Sequence, residues 1–150
     1  MRIILAMFIA ITSINAFGQT WYEPKRGSLT RAALMDAIRP HIEWQLGKPV
    51  QFSVTQLRVS QDVAYAILEP QRPGGKGIVL TKTPGFALGS IEPDLMDGTR
   101  VDVLYKKQRK TWVAVHHSIG ASDVWYQGRV FCLHYEAVIP EICNRFKKKY

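Results

Sequence analysis

Four residues that lie close together in the chain have side chains of the types used in hydrolysis. His116 and Ser118 alternate along a predicted strand, and Ser122 and Asp123 follow the glycine that ends it. Residues two apart point to one face of a strand, so a hydroxyl, an imidazole and a carboxylate could converge. However, no nucleophile elbow or oxyanion-hole glycine run accompanies the serines, and such residues commonly form turns. We therefore assign no catalytic residue.

The histidines do not form a metal-binding pattern. His116 and His117 are adjacent, so on a strand they point to opposite faces and cannot bind one metal together. His41 and His134 have no second ligand three or four positions away. No metal site is therefore expected.

A glycine-rich segment, residues 70–77, resembles a phosphate-binding loop only in composition. It lacks the spacing G-x-x-x-x-G-K-[ST], because Gly77 follows Lys76, and it leads into no predicted helix. We interpret it as a flexible basic loop that could contribute cations to an acidic partner, and we expect no cofactor.

Residues 1–18 have the pattern of a secretory signal peptide. Arg2 precedes an apolar run, and Ala16 and Gly18 both suit cleavage by a signal peptidase. An uncleaved membrane anchor is the alternative, but an apolar run of about ten residues is too short for a bilayer core of about 30 Å. We expect residues 19–150 to be one periplasmic or secreted domain with no stable membrane span.

Export bears on the two cysteines, Cys132 and Cys143, which both lie in the predicted exported part. In an oxidising compartment such a pair is expected to form a disulfide. Their separation in the sequence excludes a CxxC redox motif. Two buried free thiols are the alternative.

The chain is strongly basic, with a formal net charge of +8 that becomes +7 when the leader and its single arginine are removed. An exported basic protein meets little nucleic acid, so the expected partner is an acidic protein or an anionic component of the envelope. A merely solvated surface is the alternative. The candidate binding residues are Lys106, Lys107, Arg109 and Lys110 in a hairpin turn, and Lys147, Lys148 and Lys149 in the tail.

Apolar residues at every fourth position predict one long helix near the start of the exported part. Ser28 or Thr30 can cap its beginning, Gly47 ends it, and Pro40 predicts a kink within it. Trp44 lies off the apolar stripe and either flanks the core or marks a contact face. The stripe consists of Leu34, Ile38, Ile42 and Leu46.

Alternating apolar residues predict antiparallel strands after this helix. A first strand begins at Val50 and slips in phase near Thr55 and Gln56, which indicates a β-bulge. A central strand is expected over residues 63–68 and a hairpin over residues 101–119. The loop between them, residues 69–100, is rich in glycine and proline.

Three less regular segments complete the prediction. A short strand is expected around Ile78 to Lys82, inside the glycine-rich loop, and a last strand in the stretch from Val124 to Tyr135. Pro140 predicts the start of a short terminal helix, which Cys143 would pin to the strand that carries Cys132.

These elements predict an α+β fold, with one long kinked helix packed on a curved antiparallel sheet of four to six strands and a short C-terminal helix. Over residues 30–119 the order of elements resembles that of cystatin-like and NTF2-like domains, in which a helix sits in the concavity of a curved sheet. The segment 56–60 lacks the final glycine of the cystatin inhibitory loop, so no functional residue is carried over.

Aromatic side chains follow the histidines in the predicted last strand. Trp125, Tyr126 and their aromatic neighbours either belong to the core or line a binding cleft, with His116 and Asp123 at its rim. The preferred function is a non-catalytic exported binding or inhibitor domain. The alternatives are a small-molecule or simple hydrolytic pocket between helix and sheet, and a structural subunit of an envelope complex.

Overall fold

The computed structural model describes residues 21–147, in which a long helix is followed by a four-stranded antiparallel sheet and then by short helices. The predicted signal peptide, Lys148 and Lys149 lie outside the described residues. The predicted α+β class is confirmed. The helices are α1 (Leu29–Leu46), α2 (Pro84–Ala87), α3 (Arg129–Tyr135) and α4 (Pro140–Lys147), and the strands are β1 (Gln51–Ser60), β2 (Val63–Gln71), β3 (Val101–Gln108) and β4 (Thr111–Ile119).

Helix α1 begins and ends where its capping residues predict. The Ser28 side chain accepts a hydrogen bond from the backbone N–H of Arg31 at 3.3 Å, which satisfies one of the unpaired amides of the first turn. The helix continues through Pro40, and Gly47 follows it with φ of 80°, donating its N–H to the carbonyl of Glu43. The four residues of the predicted apolar stripe are fully buried.

The sheet is an open meander in the order β1-β2-β3-β4, with every neighbouring pair antiparallel. The register of β1 against β2 shifts between Val54 and Gln56, so the predicted bulge is confirmed. Strand β2 is central, and the β3–β4 hairpin forms where the alternation predicts it. Strands β1 and β4 are therefore the edges of the sheet.

Each face of the sheet carries its own apolar core. Helix α1 packs on one face, over strand residues that include Leu57, Ala66 and Val103. The other face is covered by the C-terminal segment, where Val138 and Ile139 pack with Tyr65 and Leu104 of the sheet. The C-terminal segment therefore acts as a cap, residues 124–145, on the face opposite α1.

The strand predicted at Ile78 to Lys82 is wrong. Residues 80–82 form a turn of 3-10 helix that leads into α2, and the Thr83 side chain caps α2 by accepting the N–H of Phe86 at 3.2 Å. The segment pairs with none of the four strands. The Thr-Pro sequence before α2 favours a helix start instead.

The last predicted strand, Val124 to Tyr135, is also wrong. A turn is followed by α3, which begins after Gly128, a glycine with φ of 145°. Phe131 and Tyr135 are four residues apart and both contact the ring of His116, which is helical rather than strand spacing. The terminal helix α4 begins at Pro140 as predicted, but Cys143 joins it to helix α3 and not to a strand.

Candidate functional site

The basic hairpin, Lys106 to Lys110, forms the tip of β3 and β4. Gln108 pairs with Thr111, and Arg109 takes φ of 57° in the two-residue turn between them. The four cationic side chains of the hairpin are exposed, and no ion pair within residues 21–147 involves any of them. The backbone N–H of Lys107 donates to the carbonyl of Asp62 at 2.7 Å, which fixes the hairpin beside the β1–β2 turn.

The predicted basic tail is not brought to the hairpin by any contact described. Lys147 is the last residue of α4, while Lys148 and Lys149 lie outside the described part of the chain. Helix α4 belongs to the C-terminal cap, on the face of the sheet opposite α1. The hairpin therefore stands as a candidate site by itself.

The predicted pocket rim divides into packed aromatic residues and an exposed carboxylate. The ring of His116 lies 5.3 Å from that of Phe131, and Trp125 lies 5.1 Å from Tyr126. Asp123 is exposed, and among the described contacts no hydrogen bond or ion pair joins it to His116. Tyr126 and the partly buried Trp125 thus belong to the core between the cap and the sheet, whereas His116 is exposed.

A buried polar network under the cap was missed by the sequence analysis. The carboxylate of Asp102 is 2% exposed and accepts a hydrogen bond from Arg100 Nε at 3.1 Å and one from the Tyr65 hydroxyl at 3.4 Å. The hydroxyls of Tyr65 and Tyr126 lie 2.6 Å apart. Burial raises the pKa of both phenols, so they remain protonated donors at neutral pH. In the sequence, this network is indicated only by Asp102, the one carboxylate in the otherwise apolar first part of strand β3.

On the α1 side of the sheet, His117 lies against His41 with ring centroids 5.1 Å apart. His116 faces the cap instead, so the prediction that the two adjacent histidines point to opposite faces is confirmed. Residues 21–147 contain no group of three or more potential ligands placed to hold a metal ion. His117 and Ser118 line a cavity of about 400 Å³ together with Gln45 and Glu92.

The His117 environment predicts a pH dependence of stability. Burial lowers the pKa of His117, and the nearby His41 and His116 lower it further. The unfolded chain takes up this proton at about pH 6.5, so just below that pH it binds more protons than the folded chain. The free energy of unfolding should therefore fall as the pH drops from about 7 through this window. Urea titrations of the wild type and of His117→Gln should differ in this slope, whereas His134→Gln at an exposed position should retain it.

A second cavity, the α1–α2 groove, lies at the end of α1. It has a volume of about 630 Å³ and is lined mainly by apolar side chains, together with one carboxylate and one exposed ammonium group. Trp44 is 71% exposed and Leu88 is 70% exposed. Its lining residues are Pro40, Glu43, Trp44, Gly47, Lys48, Pro84 and Leu88.

No family model, curated protein or solved structure matches this chain. Function is therefore inferred from the residues that form the hairpin, the two cavities and the buried network. No helix in the described range is both long and apolar enough to cross a membrane. The sulfur atoms of Cys132 and Cys143 lie at disulfide distance, 2.11 Å apart, which is compatible with the predicted export.

Proposed function

We propose that this protein is a non-catalytic exported binding or inhibitor domain that engages an acidic protein or another anionic component of the envelope through its basic hairpin. The observation that carries the proposal is the placement of Lys106, Lys107, Arg109 and Lys110 at one exposed tip with no ion-pair partner of their own among the described residues. Four unpaired cations at one tip attract anions and speed their association.

The local packing of the hairpin supports this proposal. Lys107 Nζ lies 5.7 Å from the ring centroid of Trp112, which is itself almost buried, and the carbonyl of Asp62 in the neighbouring turn accepts the Lys107 N–H. The hairpin backbone is thus held in place, so ordering it on binding costs little entropy. Such a preorganised cationic tip suits a flat acidic surface better than an enclosed small ligand.

Charge reversal tests the proposal with a matched control. Replacing the four hairpin cations by glutamate should weaken binding to polyglutamate, or to vesicles rich in anionic phospholipid, by about tenfold or more. The control reverses four exposed cations elsewhere, and its net charge is the same. The control variant is Lys25→Glu, Arg26→Glu, Lys82→Glu and Arg145→Glu.

Binding should be measured at low and high salt, because screening weakens an electrostatic contact between exposed charges. The hairpin variant should lose both affinity and salt dependence, while the control variant keeps most of each. Equal losses in the two variants would show that net charge, and not the hairpin, governs binding. The two probes separate an acidic polypeptide from a lipid surface as the preferred partner.

The alternative, a small-molecule pocket between helix and sheet, has one observation in its favour. The 400 Å³ cavity brings Gln45, Glu92 and His117 to one place on the α1 side, and it falls within the range of ligand-binding cavities. Ser90 Oγ donates to Gln45 Oε1 at 2.7 Å and holds the cavity wall to α1. A fragment screen by NMR that shifts the His117 resonances would support this alternative.

A further inference from the structure

The α1–α2 groove presents an apolar surface that residues 21–147 leave uncovered. Trp44 and Leu88, both about seven-tenths exposed, line it together with Pro40 and Pro84. Exposed apolar surface of this kind, with a tryptophan in it, is characteristic of interaction sites. Its volume of about 630 Å³ suits a few residues of a bound segment.

The walls of the groove are held closely together. A Cβ atom built on Gly47 would lie 3.2 Å from Pro84 Cδ, and one built on Gly85 would lie 2.9 Å from the carbonyl oxygen of Gln45. Two glycines thus allow α2 to approach the end of α1. Thr83 caps α2, and Ser90 bonds to Gln45 just beyond it. The groove is therefore formed before any ligand arrives, which lowers the cost of binding.

Two cations, Arg72 and Lys48, and one carboxylate, that of Glu43, lie at the groove. Arg72 donates to the carbonyls of Leu46 at 2.6 Å and Pro49 at 3.1 Å, so its guanidinium is fixed at the end of α1. Lys48 is exposed and forms no ion pair within the described range. The only carboxylate among the lining residues, that of Glu43, accepts the N–H of Val50 at 3.1 Å. An incoming carboxylate would thus find one free cation beside an apolar slot.

We propose that the α1–α2 groove binds a segment of a protein partner in which an aliphatic or aromatic side chain stands next to an aspartate or glutamate. The apolar side chain packs between Trp44 and Leu88, and the carboxylate pairs with Lys48. A second copy of this chain is disfavoured as the occupant, because the chain has a formal net charge of +8 and two copies repel each other.

This groove is separate from the basic hairpin. Strand β1 begins directly after the groove and ends at the β1–β2 turn, which lies beside the hairpin. At about 3.3 Å per residue, its ten residues span about 30 Å. The two surfaces lie at opposite ends of the sheet, so either proposal can fail without the other.

Selection from a library of random linear peptides tests the groove, followed by titration of the selected peptides against the purified protein. Selected sequences should pair an apolar residue with Asp or Glu, and Trp44→Ala or Leu88→Ala should weaken their binding by about tenfold or more. Lys48→Glu should switch the preference to Lys or Arg beside the apolar residue. The matched control is Leu95→Ala, at a leucine that is 74% exposed and lies outside the groove.

Several results would overturn the proposal. Selected peptides that lack an acidic residue, or that bind Trp44→Ala as well as the wild type, would do so. So would an equal loss in Leu95→Ala, or a self-association seen by sedimentation that Trp44→Ala abolishes. The hairpin charge-reversal variant should still bind the selected peptides, which distinguishes a failure at the groove from a failure at the hairpin.

Discussion

Replacing Arg100 by alanine should lower the free energy of unfolding by about 3 kcal/mol, because it leaves the buried carboxylate of Asp102 without its cation. That carboxylate is only 2% exposed, and Arg100 Nε donates to it at 3.1 Å. Within residues 21–147, the hydroxyl of Tyr65, at 3.4 Å, would be its one remaining side-chain donor. Urea denaturation followed by circular dichroism measures the loss.

The opposite deletion should be milder. Asp102→Asn leaves a guanidinium that is 38% exposed and can be hydrated, and it keeps an oxygen that can accept from Tyr65, so about 1 kcal/mol should be lost. The double variant Arg100→Ala, Asp102→Asn should then be more stable than Arg100→Ala alone. If instead the losses in the free energy of unfolding of the two single variants add in the double variant, Arg100 and Asp102 are not coupled. That result would show that Arg100 does not stabilise the buried carboxylate.

Local sequence patterns specified most of the regular structure. The apolar stripe of α1, its cap Ser28, the bulge near Thr55 and the β3–β4 hairpin each depend on residues that are neighbours in the chain. Periodicity and capping report such local preferences directly. These elements could therefore be placed from the amino-acid sequence alone.

The two strands that were predicted wrongly lie where local sequence preferences and tertiary packing favour different structures. Apolar residues near Ile78 resemble a strand, but the Thr83-Pro84 pair that follows them starts a helix, and residues 80–82 form a 3-10 turn that leads into it. The aromatic stretch after Val124 packs on the sheet as a cap instead of joining it as a further strand. The four-residue spacing of Phe131 and Tyr135 favoured a helix, but the density of aromatic residues suggested a strand.

The candidate sites were only partly accessible to sequence analysis. The basic hairpin is a local cluster, so its exposure at a turn could be predicted. Trp44 stood out because it lies off the apolar stripe, but the groove also needs Pro84 and Leu88, about forty residues later in the chain. Long-range contacts of this kind do not follow from periodicity. The same is true of the approach of His41 to His117.

Removing the disulfide by Cys132→Ala and Cys143→Ala should lower the free energy of unfolding by about 3 kcal/mol on the loop-entropy model. The bridge closes a loop with a sequence separation of 11 residues and ties α4 to α3. Chemical reduction of the wild type should produce the same loss in urea denaturation, and the reductant should not affect the double variant. A variant as stable as the wild type would show that the bridge adds nothing to the cap.

The cap should be affected most. Arg58 provides a second link, because it donates to the Val138 carbonyl at 3.1 Å and to Glu141 Oε1 at 2.6 Å. Without the disulfide, this partly exposed link and the apolar packing of Ile142 hold α4 on the sheet. Hydrogen exchange should therefore accelerate most in α3 and α4, where the cap can open by itself, whereas amides of α1 that exchange only on global unfolding should accelerate by no more than the fall in the free energy of unfolding implies. Because the α1–α2 groove lies on the opposite face of the sheet, peptide binding there should survive in the double variant, whereas a parallel loss would mean that the two faces unfold together.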